Sequence, residues 1–388
     1  MNKQLNINKF FNLYVSFCFF ISVIFLYHKF LYPTDWTTSE WLINYHGGFT
    51  RRGFVGEILL QINYFLNFKI RYLVYFFEIL LLLLFYILIK NFFKNLKFSL
   101  LLVIIIFSPL GLLFPIIETE SMGRKEFLFY CYYIIYLNSL SQNRNMLTNI
   151  LVILGLPLIN LTWDGSIFYY FFLMYSYMVK KNSFNQKNFL KFLNLSIPYF
   201  ISIILLLFTK SNDEMLNLMC NAINEPCFGA MNFLNYSFYD QMNYGISRLK
   251  IEYIVRYILI FVFCFFPLIA VFFNPHKNNK YLFGYIICVI PSFIFLIISF
   301  DWGRYLSILY IFSLLTINFL IKEKKIDIKN SFLSKKIEDW IKNKKNSILY
   351  MYIFVYLFCW HPKSTLTDDI GSFPYIRVLN RLYDYLLV

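Results

Sequence analysis

The chain has 388 residues, of which 59% are hydrophobic and 22% aromatic while only 15% are charged, and its mean hydropathy is +0.57. Soluble domains run near 45–50% apolar and about 25% charged, so this composition excludes an ordinary soluble domain and makes lipid the second solvent. The formal charge of +15 would raise nucleic acid in a soluble chain, but its distribution follows alternate membrane loops, and no nucleic-acid partner is expected.

A spanning helix needs roughly 20 mainly apolar residues. Such runs are predicted over 10–32, 73–89, 99–117, 195–208, 253–273, 281–300, 305–321 and 348–360. A run over 127–140 is short, and one over 148–178 has Trp163, Asp164 and Gly165 at its middle. The latter reads either as one overlong helix with a buried acid or as two short helices hinged where Asp164 meets the membrane surface. Charge discriminates between them. With the hinge there are about eleven spans, a cytoplasmic N-terminus and a periplasmic C-terminus, in line with the positive-inside rule. The cytoplasmic side then holds 21 of the 36 bases but only the acids Glu323, Asp327, Glu338 and Asp339, whereas the outer side holds 15 bases and 16 acids.

The expectation is an all-α, polytopic transmembrane bundle, with residues 1–388 forming one integral membrane domain. It has a first outer loop with an interfacial helix over 33–72, a large outer loop over 210–252 and a cytoplasmic basic amphipathic linker over 322–346. The linker suits a surface helix on anionic lipid or a solvated basic segment. The first apolar run is longer than a signal-peptide core and no small-residue cleavage site follows, so it is read as a retained anchor. Five of the seven cysteines lie in or beside spans. Cys220 and Cys227 lie in the large outer loop, where an oxidising exterior would allow a disulfide. Zinc is not expected there, since four ligands are usual and neither His nor further Cys is near.

The charged, aromatic and glycine-containing stretches that remain all fall at the outer surface in this topology. The first runs from Asp35 and Glu40 to Glu57 and carries Arg51 and Arg52, adjacent arginines on the side where bases are depleted. Arginine presents a planar fork of donors suited to phosphate, and flanking glycines let the backbone approach an anion. The bland alternative is that these arginines pair with Glu57 or touch lipid phosphates without discrimination. The second stretch, Glu118 to Glu126 with Arg124, is either a self-neutralising loop or one wall of an anion site. The third centres on Asp164, an acid suited to proton transfer or a helix cap. The fourth, Asp301 to Tyr305 with Arg304, combines acid, glycine, arginine and rings. Sugars are bound by such mixtures, though the pair could equally be a simple helix-start ion pair.

No nucleotide loop, HExxH pair or dense His/Cys cluster is present, so no cofactor and no metal are expected. Only Glu78 places an ionisable group near the midplane of a predicted span, which gives transport little support.

The pieces GGFTRRGFVGE (47–57), GRKE (123–126) and DWGRY (301–305), set in about eleven spans, resemble the polyprenol-dependent GT-C membrane glycosyltransferases. More narrowly, the chain looks like the Wzy-type polymerases of O-antigen and capsule. The large outer loop matches no polymerase motif. The resemblance implies a bacterial inner-membrane enzyme of polysaccharide biosynthesis that moves a glycan from undecaprenyl diphosphate onto another lipid-linked unit. Its partners would be that lipid-linked glycan, the bilayer and a chain-length regulator. Asp35 or Asp301 would be the catalytic base; Arg51, Arg52, Arg124 and Arg304 would hold the diphosphate; Glu40, Glu57 and Asp164 would orient sugars or arginines. The alternatives are a lipid-linked oligosaccharide flippase or another GT-C-type transferase using a polyprenyl-phosphate sugar.

Overall fold

A computed structural model describes residues 2–32, 36–94, 96, 99–182, 184–209, 211–236, 238–273, 279–328, 331–342, 346–366 and 371–387. The described residues are 77% helix and 1% strand; the strand pairing among them is Trp360–His361 antiparallel to Gly371–Ser372. Helices dominate because lipid cannot satisfy backbone N–H and C=O groups, so each apolar segment must pair its own.

Among the described residues six helices are long and apolar enough to cross a membrane: Asn8–Leu31, Ile70–Phe93, Asn145–Thr162, Ile251–Ala270, Lys280–Ile297 and Trp302–Lys322. The pair Gln186–Leu195 and Ile197–Phe208, bent by 55°, makes a seventh if it is one span. The bend falls at Ser196, and Pro198 in the first turn of the second helix lacks the N–H that would continue the ladder back to the first. The chain is a multi-pass membrane protein.

Three predicted runs take other forms. The 99–117 run is not one helix: helix Leu100–Ile106 ends ahead of Pro109 and Gly111, residues 107–113 turn, and Phe114–Ile117 resumes. Proline at 109 removes a ladder donor and pushes Ser108 out of the helical region. The 127–140 run is helix Glu126–Ser141, short because it is buried within protein instead of facing lipid. Of the two readings of 148–178, the backbone takes the broken one. The helix ending at Thr162 stops at Trp163, whose backbone is extended (φ −146°, ψ 104°), and a 3-10 turn over Asp164–Tyr169 leads into helix Tyr170–Lys180.

The chain divides into two compact units, one of Met1–Ile21, Ile89–Thr119 and Gly245–Val388 and the other of Ser22–Leu88 and Glu120–Tyr244. Each has a core helix. In the first unit it is Trp302–Lys322, buried from Trp302 to Leu320. Its Tyr310 hydroxyl donates to Ile105 O at 2.7 Å and its Ser307 hydroxyl to Leu110 O at 2.9 Å. The Ser307 bond satisfies a turn carbonyl of the broken 99–117 segment, and Ile105 O also accepts from Ser108 N at 3.4 Å. In the second unit the core helix is Glu126–Ser141, whose Tyr136 hydroxyl donates to Leu173 O at 3.0 Å and whose Tyr133 hydroxyl lies 3.0 Å from Ser176 Oγ.

Candidate functional site

The second unit gathers the first outer loop, the Gly123–Lys125 turn and the Asp164 break into one charged cluster. Its floor is helix Thr37–Leu42, buried along its whole length. The helix Phe54–Leu66 packs so closely on the segment leaving this floor that a Cβ on Gly56 would lie 1.8 Å from Ile43 O. Gly53 is likewise pressed on the Tyr45 ring. The Arg51–Arg52 turn ahead of Gly53 holds Arg52 at φ +66°, a left-handed conformation uncommon in a non-glycine residue, and Lys125 Nζ donates to the Arg52 carbonyl.

Glu40, with no exposed side-chain surface, accepts from Arg124 Nε at 2.8 Å and faces Arg52 Nη1 at 3.9 Å. Arg52 Nε donates to Asp164 Oδ1 at 2.8 Å, and Arg51 Nη1 lies 3.9 Å from Asp164 Oδ2. The Asp164 carboxylate therefore serves arginines and does not cap the following helix. Burial alone would raise its pKa; Arg52 and then Arg51 outweigh burial and hold it below the ordinary value. Lys125 is fully buried, with its ammonium 5.6 Å from the centroid of the Trp41 ring. Burial pushes its pKa from 10.5 down to about 7, against the pull of Glu40 and with the help of Arg52. Trp41 Nε1 in turn donates to Gly123 O at 2.6 Å, which fixes the turn that carries Arg124 and Lys125.

Among the described residues, then, Arg51, Arg52, Arg124 and Lys125 surround Glu40 and Asp164, and positive charge is in excess. The side chains differ in access. Arg51 and Arg52 keep 21% and 23% of their side-chain surface open, whereas Arg124 keeps 6% and Glu40 none. Arg51 and Arg52 are the more open pair, and Arg124 with Glu40 is the buried one.

The remaining candidates fall elsewhere. Asp35 lies outside the described residues. Glu57 accepts from Tyr45 N at 2.9 Å and Gln61 Nε2 at 2.6 Å, and the arginine pair turns to Asp164 and Glu40 instead. Asp301 and Arg304 belong to the first unit, where they bond each other at 2.9 Å. Cys220 and Cys227 form a disulfide, with Cα atoms 5.5 Å apart.

The first unit also joins Glu118, the start of the second stretch, to His361, Ser364 and Arg377, which the sequence did not single out. Glu118 Oε1 lies 3.0 Å from Arg377 Nη2 and 3.3 Å from His361 Nε2, and Glu118 Oε2 accepts from Ser364 N at 3.2 Å. Burial works against the Glu118 anion, but His361, Arg377 and the Ser364 N–H together keep its pKa below the ordinary value. Burial likewise lowers the His361 pKa. Gly371 presses on the imidazole face, where a Cβ would lie 2.0 Å from Cε1. For His361 the available signal was its place with Pro362 directly after an apolar run, which is also what a helix end looks like.

No group of three or more His, Cys, Asp or Glu side chains among the described residues could hold a metal ion. Fold and site together define a polytopic helical membrane protein with a part-buried cationic cluster. Comparison with known proteins finds no matching family model, no matching curated protein and no matching solved structure.

Proposed function

We propose that the chain is a Wzy-type polymerase of the bacterial inner membrane, which joins undecaprenyl-diphosphate-linked oligosaccharide repeat units at the outer face during O-antigen or capsule assembly. The observation that carries this reading is the pair Arg51 and Arg52, part-exposed on a foundation of Glu40, Arg124, Lys125 and Asp164 with cationic charge in excess. A diphosphate is the anion such a fork pair suits, because two planar guanidinium groups can each bond two oxygens. The eleven-span arrangement, with the N-terminus inside and the C-terminus outside, belongs to this proposal and rests on the charge asymmetry of the loops.

In the reaction the acceptor hydroxyl oxygen attacks the anomeric carbon of the donor glycan, and the bond from that carbon to the diphosphate oxygen breaks. The electron pair leaves with undecaprenyl diphosphate, and Arg51 and Arg52 stabilise the developing charge. The hydroxyl proton passes to a carboxylate, for which Asp35, two residues ahead of the buried floor helix, is the candidate in this unit. Asp164, bonded by Arg52 at 2.8 Å with Arg51 3.9 Å away, orients the arginines. Arg124 supports Arg52 through Glu40 and is a positioning residue.

The test is single replacement of Arg51 and Arg52 by alanine in the producing cell, read by surface-glycan length. Loss of long chains while single repeat units still reach the surface is the expected result. Lipid-linked units trapped inside would mean that the chain flips its substrate, and unchanged glycan would remove both readings.

A further inference from the structure

Beside Arg51 the large outer loop is not a slack connection but is fastened to the first outer loop at several points. Thr50 Oγ1 lies 2.9 Å from Ser211 Oγ, Ala230 N donates to Ser39 Oγ at 2.9 Å, and Gly47 is packed against the Met215 backbone, where a Cβ would come within 2.2 Å of its carbonyl oxygen. Arg71 grips Glu225 with two bonds of 2.6 and 2.5 Å. The Cys220–Cys227 disulfide closes the turn after helix Asp213–Ile223. These ties hold open a cleft of about 310 Å³ between that helix and residues 227–236. The volume is near the lower end of small-ligand sites, about 300–1,000 Å³.

The lining has a particular chemistry. Asp213, Asn217, Asn232 and Asn235 supply carboxylate and amide groups, and Tyr236 supplies a half-exposed ring. Asn232 Nδ2 donates to Cys227 O at 3.3 Å and Asn235 Nδ2 donates to Asp213, so these side chains are pre-set. Behind them runs a file of rings, with Trp36 and Phe233 centred 5.6 Å apart and Phe233 and Tyr236 5.2 Å apart. Amides give hydrogen bonds to vicinal hydroxyls and take them, a carboxylate takes them, and an exposed ring covers the C–H face of a sugar. Charge sets this cleft apart from the arginine cluster, since its lining contains no base. The two adjoin at one point: Arg51 Nη2 reaches the Tyr236 carbonyl at 3.5 Å.

We propose that this cleft binds sugar residues of the lipid-linked glycan whose diphosphate lies on Arg51 and Arg52. The assignment as part of a transferase rests on the function proposed above; the cleft as a glycan site does not. The test uses the full chain in detergent and two separate probes: repeat-unit oligosaccharide released by mild acid from the producing cell's surface glycan, and farnesyl diphosphate. Tyr236→Ala and Asn232→Ala should each weaken oligosaccharide binding by about tenfold and leave farnesyl diphosphate binding unchanged. Tyr236→Phe keeps the ring and should bind as the parent does. An intact disulfide and an unchanged melting temperature show that each variant is folded. Equal oligosaccharide binding by parent and alanine variants, or none by the parent, overturns the proposal. Oligosaccharide binding lost with Tyr236 in a chain that does not take up farnesyl diphosphate would leave the glycan site standing and remove the transferase reading.

Discussion

Arg52 sits at the junction of two acids and one lysine, and each contact constrains a different part of it. Asp164 and Glu40 set the guanidinium, while Lys125 sets the backbone. Glu40 has no exposed surface, so its removal would leave Arg124 as a buried cation without its 2.8 Å carboxylate. Glu40→Ala should cost about 3–5 kcal/mol, the range for breaking a buried pair from one side, and lower the melting temperature in detergent. The double variant Glu40→Ala with Arg124→Met should recover much of that loss, because neither charge then remains stranded. Additive losses would show that the two do not act as a pair. Lys125 makes a pH prediction whose sign follows from burial. Its pKa falls from 10.5 to about 7 on folding, so between those values the unfolded chain holds a proton that the folded chain lacks. Stability must rise with pH across this window. Relative to Lys125→Met, the parent's melting temperature should climb between pH 7 and 10; parallel curves for the two proteins would place the Nζ pKa near its ordinary value.

At the scale of elements, glycine decides how near the helices come. The approach of Gly56 to Ile43 O leaves no room for a methyl group, and the atom it would strike is backbone. Gly56→Ala should therefore destabilise by about 3 kcal/mol, the upper part of the overpacking range, and release the Arg51–Arg52 turn from its floor. Gly111→Ala, whose Cβ would meet Ile106 O and Ser108 O at 3.2 Å, should cost clearly less. A melting comparison of the two variants checks the ranking. The elements differ in how legible they are. Helix Ile70–Phe93 announces itself by a long apolar run interrupted only by Glu78 between residues 72 and 89, and the Asp164 break by an acid, a glycine and a tryptophan in mid-run. The 99–117 segment does not, because its apolar content is that of a span and only Pro109 and Gly111 mark the turn. Hydropathy reports that a segment avoids water and is silent on whether lipid or protein surrounds it. Helix Glu126–Ser141, buried in protein, carries the same signal as one facing lipid. Arg51, Arg52 and Asp164 were legible as charges where charge is costly; the buried state of Lys125 and the company of His361 depend on long-range packing, which no local pattern encodes.

For the molecule as a whole, the asymmetry of charge makes the sharpest statement, and the bent pair Gln186–Leu195 and Ile197–Phe208 is where it is most exposed to test. The second helix of the pair has 12 residues, about 18 Å of rise against a hydrocarbon core of about 30 Å. Alone it cannot cross. Its partner has 10 residues and carries Lys187 and Lys191, so the two together cross only if the basic part lies at the cytoplasmic headgroups and the apolar part continues to the far side. Lys187 must then face the cytoplasm and Glu214, just beyond the second helix, the exterior, along with the disulfide-closed loop and the sugar cleft. Labelling settles the matter in intact cells with a membrane-impermeant maleimide. Cys18, Cys131, Cys264 and Cys288 are buried, and a Cys359→Ser background removes the part-exposed thiol among those outside the disulfide. Gln61→Cys and Glu214→Cys should label in intact cells, and Lys187→Cys and Lys336→Cys only after permeabilisation. If Lys187→Cys and Glu214→Cys label from one side, the bent pair is re-entrant and every later loop changes face. The basic 322–346 segment would then meet the exterior, and Glu214 would share the compartment of Lys187, against the bias that orients chains of this composition.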